Sequence, residues 1–310
     1  MAERREMEDL ATMGAEAAAT AFPLERSVSV PRARHRASLG ERLALLRHSR
    51  VALVGLAVVL FWVAVAALAP VLSPYPPTAL VGPVAHPPSA QHLLGTDHLG
   101  RDVVSRLIWG TRVILVLAPA AVLSALALGT LLGLIAGTSG RLVDEIVMRL
   151  LDAILAFPPI LLYLVVIAAV GPSALNIVLA LTLGSAPGIA RIVRSLVLDL
   201  RTREFVAAAR LRGESRGYIM LVEILPNVKG PLIVDGCIRV GYATFAIATL
   251  GFLGLGLPPP APDWGRMIND GRNWIMTAPW MVLAPAVAIS SLVVGLNLFA
   301  DGLREAAQRA

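Results

Sequence analysis

Five sets of residues in this 310-residue chain carry side chains that could do chemistry. His86, His92, Asp97 and His98 fall in one polar stretch, and imidazole is the commonest protein ligand of metals. Their spacing follows no metal-binding motif, so solvated loop histidines are the plainer reading. Gly137, Ser139 and Gly140 reproduce the G-x-S-G form in which an intramembrane protease presents a nucleophilic serine to a histidine on a later span. All five histidines (His35, His48, His86, His92 and His98) precede Ser139, which favours a helix-ending turn instead. Asp235 and Arg239 lie four residues apart inside an apolar stretch, so on a helix they share a face and can pair. Ionisable residues within a membrane are costly and face a bundle interior or a wet cavity. An ion pair near the headgroups, with Arg239 snorkelling, is the competing reading. The only lysine, Lys229, follows no Gly-rich loop, and a P-loop ATPase needs that lysine on the β- and γ-phosphates. The single cysteine, Cys237, supports neither a disulfide framework nor a thiolate metal site.

The elements that must position these residues are membrane helices. Hydrophobic residues make up 56% of the chain, charged residues only 15%, and the mean hydropathy is +0.73. An average soluble domain is roughly 25% charged. Six apolar runs, at about 51–72, 111–137, 146–170, 174–198, 230–255 and 280–301, are long enough for helices crossing a core of about 30 Å. The alternating ten-residue pattern of a β-barrel is absent. The first run starts only after residue 50 and has no small-residue cleavage pattern, so an uncleaved span is expected. The net charge of +6 reflects topology rather than nucleic acid. Arg26, Arg32, Arg34, Arg36, Arg42, Arg47 and Arg50 precede the first run, and seven arginines with Lys229 crowd residues 191–229. Residues 73–110 and 256–279 hold two arginines each, so both termini are expected in the cytoplasm.

Residues 1–37 lack apolar periodicity and are expected to be a disordered cytoplasmic segment. Residues 38–72 comprise a Ser-capped stretch, either an interfacial helix or only a basic topogenic flank, and the first span. The prolines of residues 73–110 imply an extended outer loop running into an amphipathic segment. Residues 111–301 form the core of five further spans, and 302–310 a cytoplasmic tail. Gly129, Gly133 and Gly137 recur at four-residue spacing, the small-xxx-small pattern of close helix packing.

Between the fourth and fifth spans, "REFVAAARLRGESRGYIMLVEILPN" (203–227) is too long for a plain connection. Alanines favour a helix that Gly213 breaks, and a second short helix is expected to stop at Pro226. The segment resembles the EAA loop of importer-type ABC permeases. Ala208, Ala209, Gly213, Leu225 and Pro226 match in register, whereas Ala207 stands where Glu is usual and Glu223 where an apolar residue or His is usual. "HLLGTDHLGRDVVSRLIWGTR", "LLDAILAFPPILL", "LGFLGLGLPPPAPDWGRMI" and "NLFADGLREA" resemble the dipeptide and oligopeptide permeases of the DppC/OppC kind. The likeness covers residues 40 to about 306.

The resemblance implies an all-α integral membrane protein of the type I ABC importer permease fold in the bacterial inner membrane. It implies a second homologous permease, two P-loop ATPase subunits that hold ATP and Mg, and an extracytoplasmic binding protein. It assigns no catalytic residue, metal or cofactor to this chain. Coupling to the ATPase falls to Glu204, Ala208, Ala209, Arg210, Arg212, Gly213, Leu225 and Pro226. Arg210 and Arg212 are candidates for pairing with acidic ATPase residues, or simply obey the topology rule. Asp235 and Arg239 then line the inner pathway or meet the second permease. Relatives of this branch carry dipeptides, longer peptides, nickel chelates or other small solutes. The rival class is an ion-driven secondary transporter, which would show inverted repeats and would not need the 203–227 segment.

Overall fold

The computed structural model describes residues 49–309, so the expectations for residues 1–37 and for a helix before Ser49 lie outside the described residues. Among the described residues every regular element is helical, and extended pairing is limited to two isolated bridges, Leu80 with Arg101 and Thr96 with Asp102. Helices satisfy their own backbone groups, which lipid cannot do.

Helix α1 (Arg50–Ala67) is capped by Ser49, whose hydroxyl accepts the Ala52 N–H, and a break before Pro70 starts the short α2 (Ala69–Leu72). Helix α3 (Val103–Thr138) starts about two turns before its apolar run because Asp102 caps it, accepting the Ser105 N–H at 2.8 Å. The apolar run at 146–170 divides into α4 (Arg141–Leu155) and α5 (Pro159–Val170), bent by 88°. Pro158 and Pro159 explain the break, since proline cannot continue a helix and its predecessor leaves the α region. Helix α6 (Ala174–Leu200) follows a Ser173 cap.

After α7 (Glu204–Leu211) and the single turn α8 (Arg216–Tyr218), a π-helical turn at Ile219–Ile224 feeds α9 (Leu225–Phe252). Pro226 therefore does not stop the second short helix, as the sequence led us to expect. The wide turn has already shifted the register, with the Leu225 N–H bonded to Met220 O, and the Asn227 side chain donates to the Glu223 carbonyl at 2.6 Å. The helices α10 (Trp264–Gly271) and α11 (Trp280–Arg309) complete the chain. Five helical stretches are long and apolar enough to cross a membrane, and the α4–α5 pair makes a sixth if counted as one broken span. Ala52 near the start of α1 packs on Gly302 near the end of α11, so these two helix ends lie side by side.

The central seam joins α3 to α6. A Cβ added at Gly129, Gly133 or Gly137 would stand 2.6–2.7 Å from the Cβ atoms of Ile189, Val193 and Val197 respectively. Hydrocarbon gives helices no hydrophobic reason to associate, so close van der Waals contact must do it, and glycine permits the approach. Large apolar side chains on the outer faces, among them Phe61, Val116, Leu123, Val165, Leu179, Phe245 and Val287, are exposed. They form the lipid-facing surface, the reverse of a soluble core.

At the end opposite residues 201–224, charge is buried in a closed network. Arg106 is 1% exposed and Asp97 8%. Asp97 accepts from Arg101 Nε at 2.6 Å and lies 3.5 Å from Arg106 Nε, while its other oxygen accepts the Leu99 and Arg101 backbone N–H groups. Arg106 also donates to Pro77 O, which fastens the proline-rich loop to α3. Asp263 caps α10, and burial pushes its carboxyl up from the usual carboxylate range, opposed by the N–H groups of Arg266, Leu257 and Gly265. Trp264, fully buried, donates to Leu107 O at 2.8 Å and meets Trp62 edge-on.

Two outcomes follow from this packing. Gly133→Ala forces a methyl into Val193 and the Ala190 carbonyl, and is expected to cost about 1–3 kcal/mol, read as a lower thermal midpoint in detergent. Asp97→Asn strands two buried guanidinium groups and is expected to cost about 3–5 kcal/mol, seen as loss of folded chain on size-exclusion chromatography.

Candidate functional site

The segment after α6 is built as a two-sided hairpin. Glu204 in the first turn of α7 and Arg210 in the last both complement the helix dipole. Gly213 then adopts φ +82°, its N–H bonding Arg210 O while the Glu214 N–H reaches back to Ala209 O. This is a Schellman end, which glycine enters without the steric cost of a Cβ. Ser215 restarts the chain by accepting the Tyr218 N–H.

One side of the hairpin is welded to the membrane core. Val206 and Ala209 are fully buried in a cluster with Leu134 of α3, Val193 and Val197 of α6, Ile219 and Ile224 of the π turn, and Val228 of α9. The other side is open. Glu204, Ala208, Arg210, Arg212 and Gly213 are exposed, and Leu211 at the tip is 90% exposed. Leu225 and Pro226 are half-buried where the hairpin enters α9. Arg212 bridges the two limbs, donating to Glu223 at 3.1 Å. The unusual Glu223 thus has a partner, whereas Ala207 simply faces solvent.

Asp235 and Arg239 pair on one face of α9 at 2.5 Å, each about a quarter exposed. Two further ion pairs join α6 to α4, Arg191 with Asp152 and Arg194 with Asp144. Sequence reading missed these, as it missed Leu211 and the Arg212–Glu223 link. Only the acidic residues of α4 at 144 and 152, two turns apart, hinted at a charged face.

The outer-loop residues do not converge. His92 Nδ1 lies 3.0 Å from Asp102, Asp97 is committed to Arg101 and Arg106, His86 Nδ1 contacts the Pro87 carbonyl, and His98 approaches Asp270 at 4.0 Å. Ser139 ends α3, whose 36 residues place it about 54 Å along the helix from that loop.

Residues 129–310 match the family model of the binding-protein-dependent transport system inner membrane component, and residues 41–99 match the N-terminal TM domain of oligopeptide transport permease C. The dipeptide transport system permease protein DppC of Alkalihalophilus pseudofirmus is 42% identical over 86% of this chain and 88% of its own length. The di/tripeptide transport system permease protein DppC of Pseudomonas aeruginosa is 41% identical over 84% of this chain and 88% of its own length. Among solved structures, a chain of the MetNI methionine ABC transporter in inward-facing conformations aligns with a TM-score of 0.54 and 18% identity, over 66% of this chain and 95% of that one. That likeness concerns the fold, which is the type I ABC importer permease fold. With its several apolar helices and matches running almost end to end, this multi-pass membrane chain belongs to the binding-protein-dependent transport system inner membrane components, ABC permease subunits, in their dipeptide and oligopeptide branch.

Proposed function

We propose that this chain is the permease subunit of an ATP-driven importer that moves di- or oligopeptides across the bacterial inner membrane by alternating access. Residues 203–227 dock on a separate ATPase subunit, which supplies ATP and Mg, and both termini are cytoplasmic. The observation that carries the reading is the two-sided hairpin: Val206 and Ala209 fix its inner face to α3, α6 and α9, while its outer face presents charge and Leu211. A force applied to such a face moves the attached helices as a rigid body rather than bending a loop. Gly213 sets the bend, Leu225 and Pro226 set the entry into α9, and Arg210 is free to meet an acidic partner surface while Arg212 holds the hairpin closed through Glu223.

The remaining partners follow from the family and the exposed ends. A second homologous permease completes the pathway, and an extracytoplasmic binding protein delivers the solute. Trp274, Ile275 and Met276, the last 93% exposed, form its apolar contact beside α10. Catalysis resides in the partner ATPases. The peptide substrate is supported by the relatives named for dipeptides and di/tripeptides.

Gly213→Val places a β-branched side chain at φ +82° and is expected to lower ATP-driven uptake in proteoliposomes at least tenfold while the complex still assembles. Unchanged uptake would remove the hairpin from coupling. Leu211→Asp leaves the chain folded, because the residue touches nothing inside it, yet is expected to release the ATPase on affinity purification. Retention of the ATPase at wild-type level would rule out the tip as an anchor.

A further inference from the structure

A polar track runs along α6 and meets the intramembrane ion pair. Gly184, Gly188, Arg191 and Ser195 recur at three- or four-residue intervals and so share one side of the helix, and all keep some exposure. The ring of Tyr163 fills the niche at Gly184, where an added Cβ would stand 2.5 Å from its Cε1. Arg239 of α9 occupies the next niche, its Nη2 3.5 Å from a Cβ built at Gly188. A side chain longer than alanine there would displace the guanidinium. Further along α6 toward the hairpin end, Arg191 pairs with Asp152 and Arg194 with Asp144.

Lipid cannot be the neighbour of this face. Arg239 is the fifteenth of the 28 residues of α9, about 21 Å from Leu225 and about 20 Å from Phe252. An arginine side chain is too short to reach a headgroup from there, and a charge at that depth faces protein or water. Elsewhere the outward faces of the same bundle are valine, leucine and phenylalanine. The pair is also incompletely covered, with about a quarter of each side chain open.

We propose that Asp235 and Arg239 form a transient binding site for a zwitterionic solute, Arg239 taking its carboxylate and Asp235 its ammonium group. The inference rests on the peptide-importer reading and specifies the solute's chemistry. When the solute enters, each member of the pair exchanges one opposite charge for another, and the site stays neutral. A solute with a single charge would leave either Asp235 or Arg239 without a partner in a poorly solvated place, which is costly. A peptide with both termini free satisfies both groups. The Arg191–Asp152 pair, which joins α6 to α4, lies between this site and the hairpin end.

The test uses the complete transporter in proteoliposomes, with binding protein and alanyl-alanine as solute, and compares uptake with ATP hydrolysis. Arg239→Gln, Asp235→Asn and the double variant are each expected to lower uptake at least tenfold, with ATP hydrolysis within twofold of wild type. If the pair only neutralises its own charges within α9, the double variant, which leaves no unpaired charge, recovers wild-type uptake and overturns the proposal. Uptake unaffected in the single variants overturns it too, as does hydrolysis falling in step with uptake in all three. A wild-type complex that takes up no alanyl-alanine on addition of ATP overturns the peptide-importer reading, and this inference with it.

Discussion

The close approach of α3 and α6 along Gly129, Gly133 and Gly137 is the contact on which the other arrangements depend. In lipid, apolar side chains gain nothing by leaving one hydrocarbon environment for another, so a helix pair is held by the number of atoms brought into contact. Three glycines facing Ile189, Val193 and Val197 let the backbones approach until the Ala186 and Ala190 carbonyls lie over Gly129 and Gly133. That contact sets the rotation of α6. With Val193 and Val197 turned inward, Gly188, Arg191 and Ser195 turn outward, and the same valines form the floor on which Val206 and Ala209 rest. One seam therefore positions both the polar track and the hairpin.

Charge in this molecule is managed in two different ways. At the end bearing residues 73–102, Asp97, Arg101, Arg106 and Asp102 are almost fully buried and bonded within the chain, so they hold a proline-rich loop in place. Along α4, α6 and α9 the ion pairs are partly open. Burial of a pair brings little net stability, because desolvation offsets the attraction, so exposure is the more informative property. The closed charges fasten a loop, whereas the pairs along α4, α6 and α9 remain partly open.

The hairpin is anchored on one face and open on the other. Its inner face has apolar residues in a cluster shared by three membrane helices, and its outer face has none of the self-contacts that would make Leu211 necessary for folding. Gly213 is needed for the Schellman end, and the Arg212–Glu223 bridge closes the limbs across it. The π turn runs into α9 without a break, so that the second limb of the hairpin and the Asp235–Arg239 pair belong to one continuous helical stretch.

Much of this was legible in the amino-acid sequence because it depends on neighbours along the chain. Apolar runs long enough to span a bilayer, Gly213 as a helix-ending residue, and Asp235 with Arg239 on one helix face all follow from local spacing. The EAA pattern located the hairpin for the same reason. Other features depended on which residues meet across the fold. The glycine stripe announced a close contact but not that α6 would supply it, and hydropathy alone did not show the 88° bend after α4. Pro226 looked like a stop because its missing N–H is a local defect, yet the π turn and Asn227 absorb it. His92 and Asp97 read as solvated loop residues, yet both are buried once their partners Asp102 and Arg101 come within reach. Helix identity is set by hydrogen bonds four residues apart, which a sequence displays, whereas the side of a helix that turns inward is set by packing between residues tens of positions apart, which only the folded chain decides.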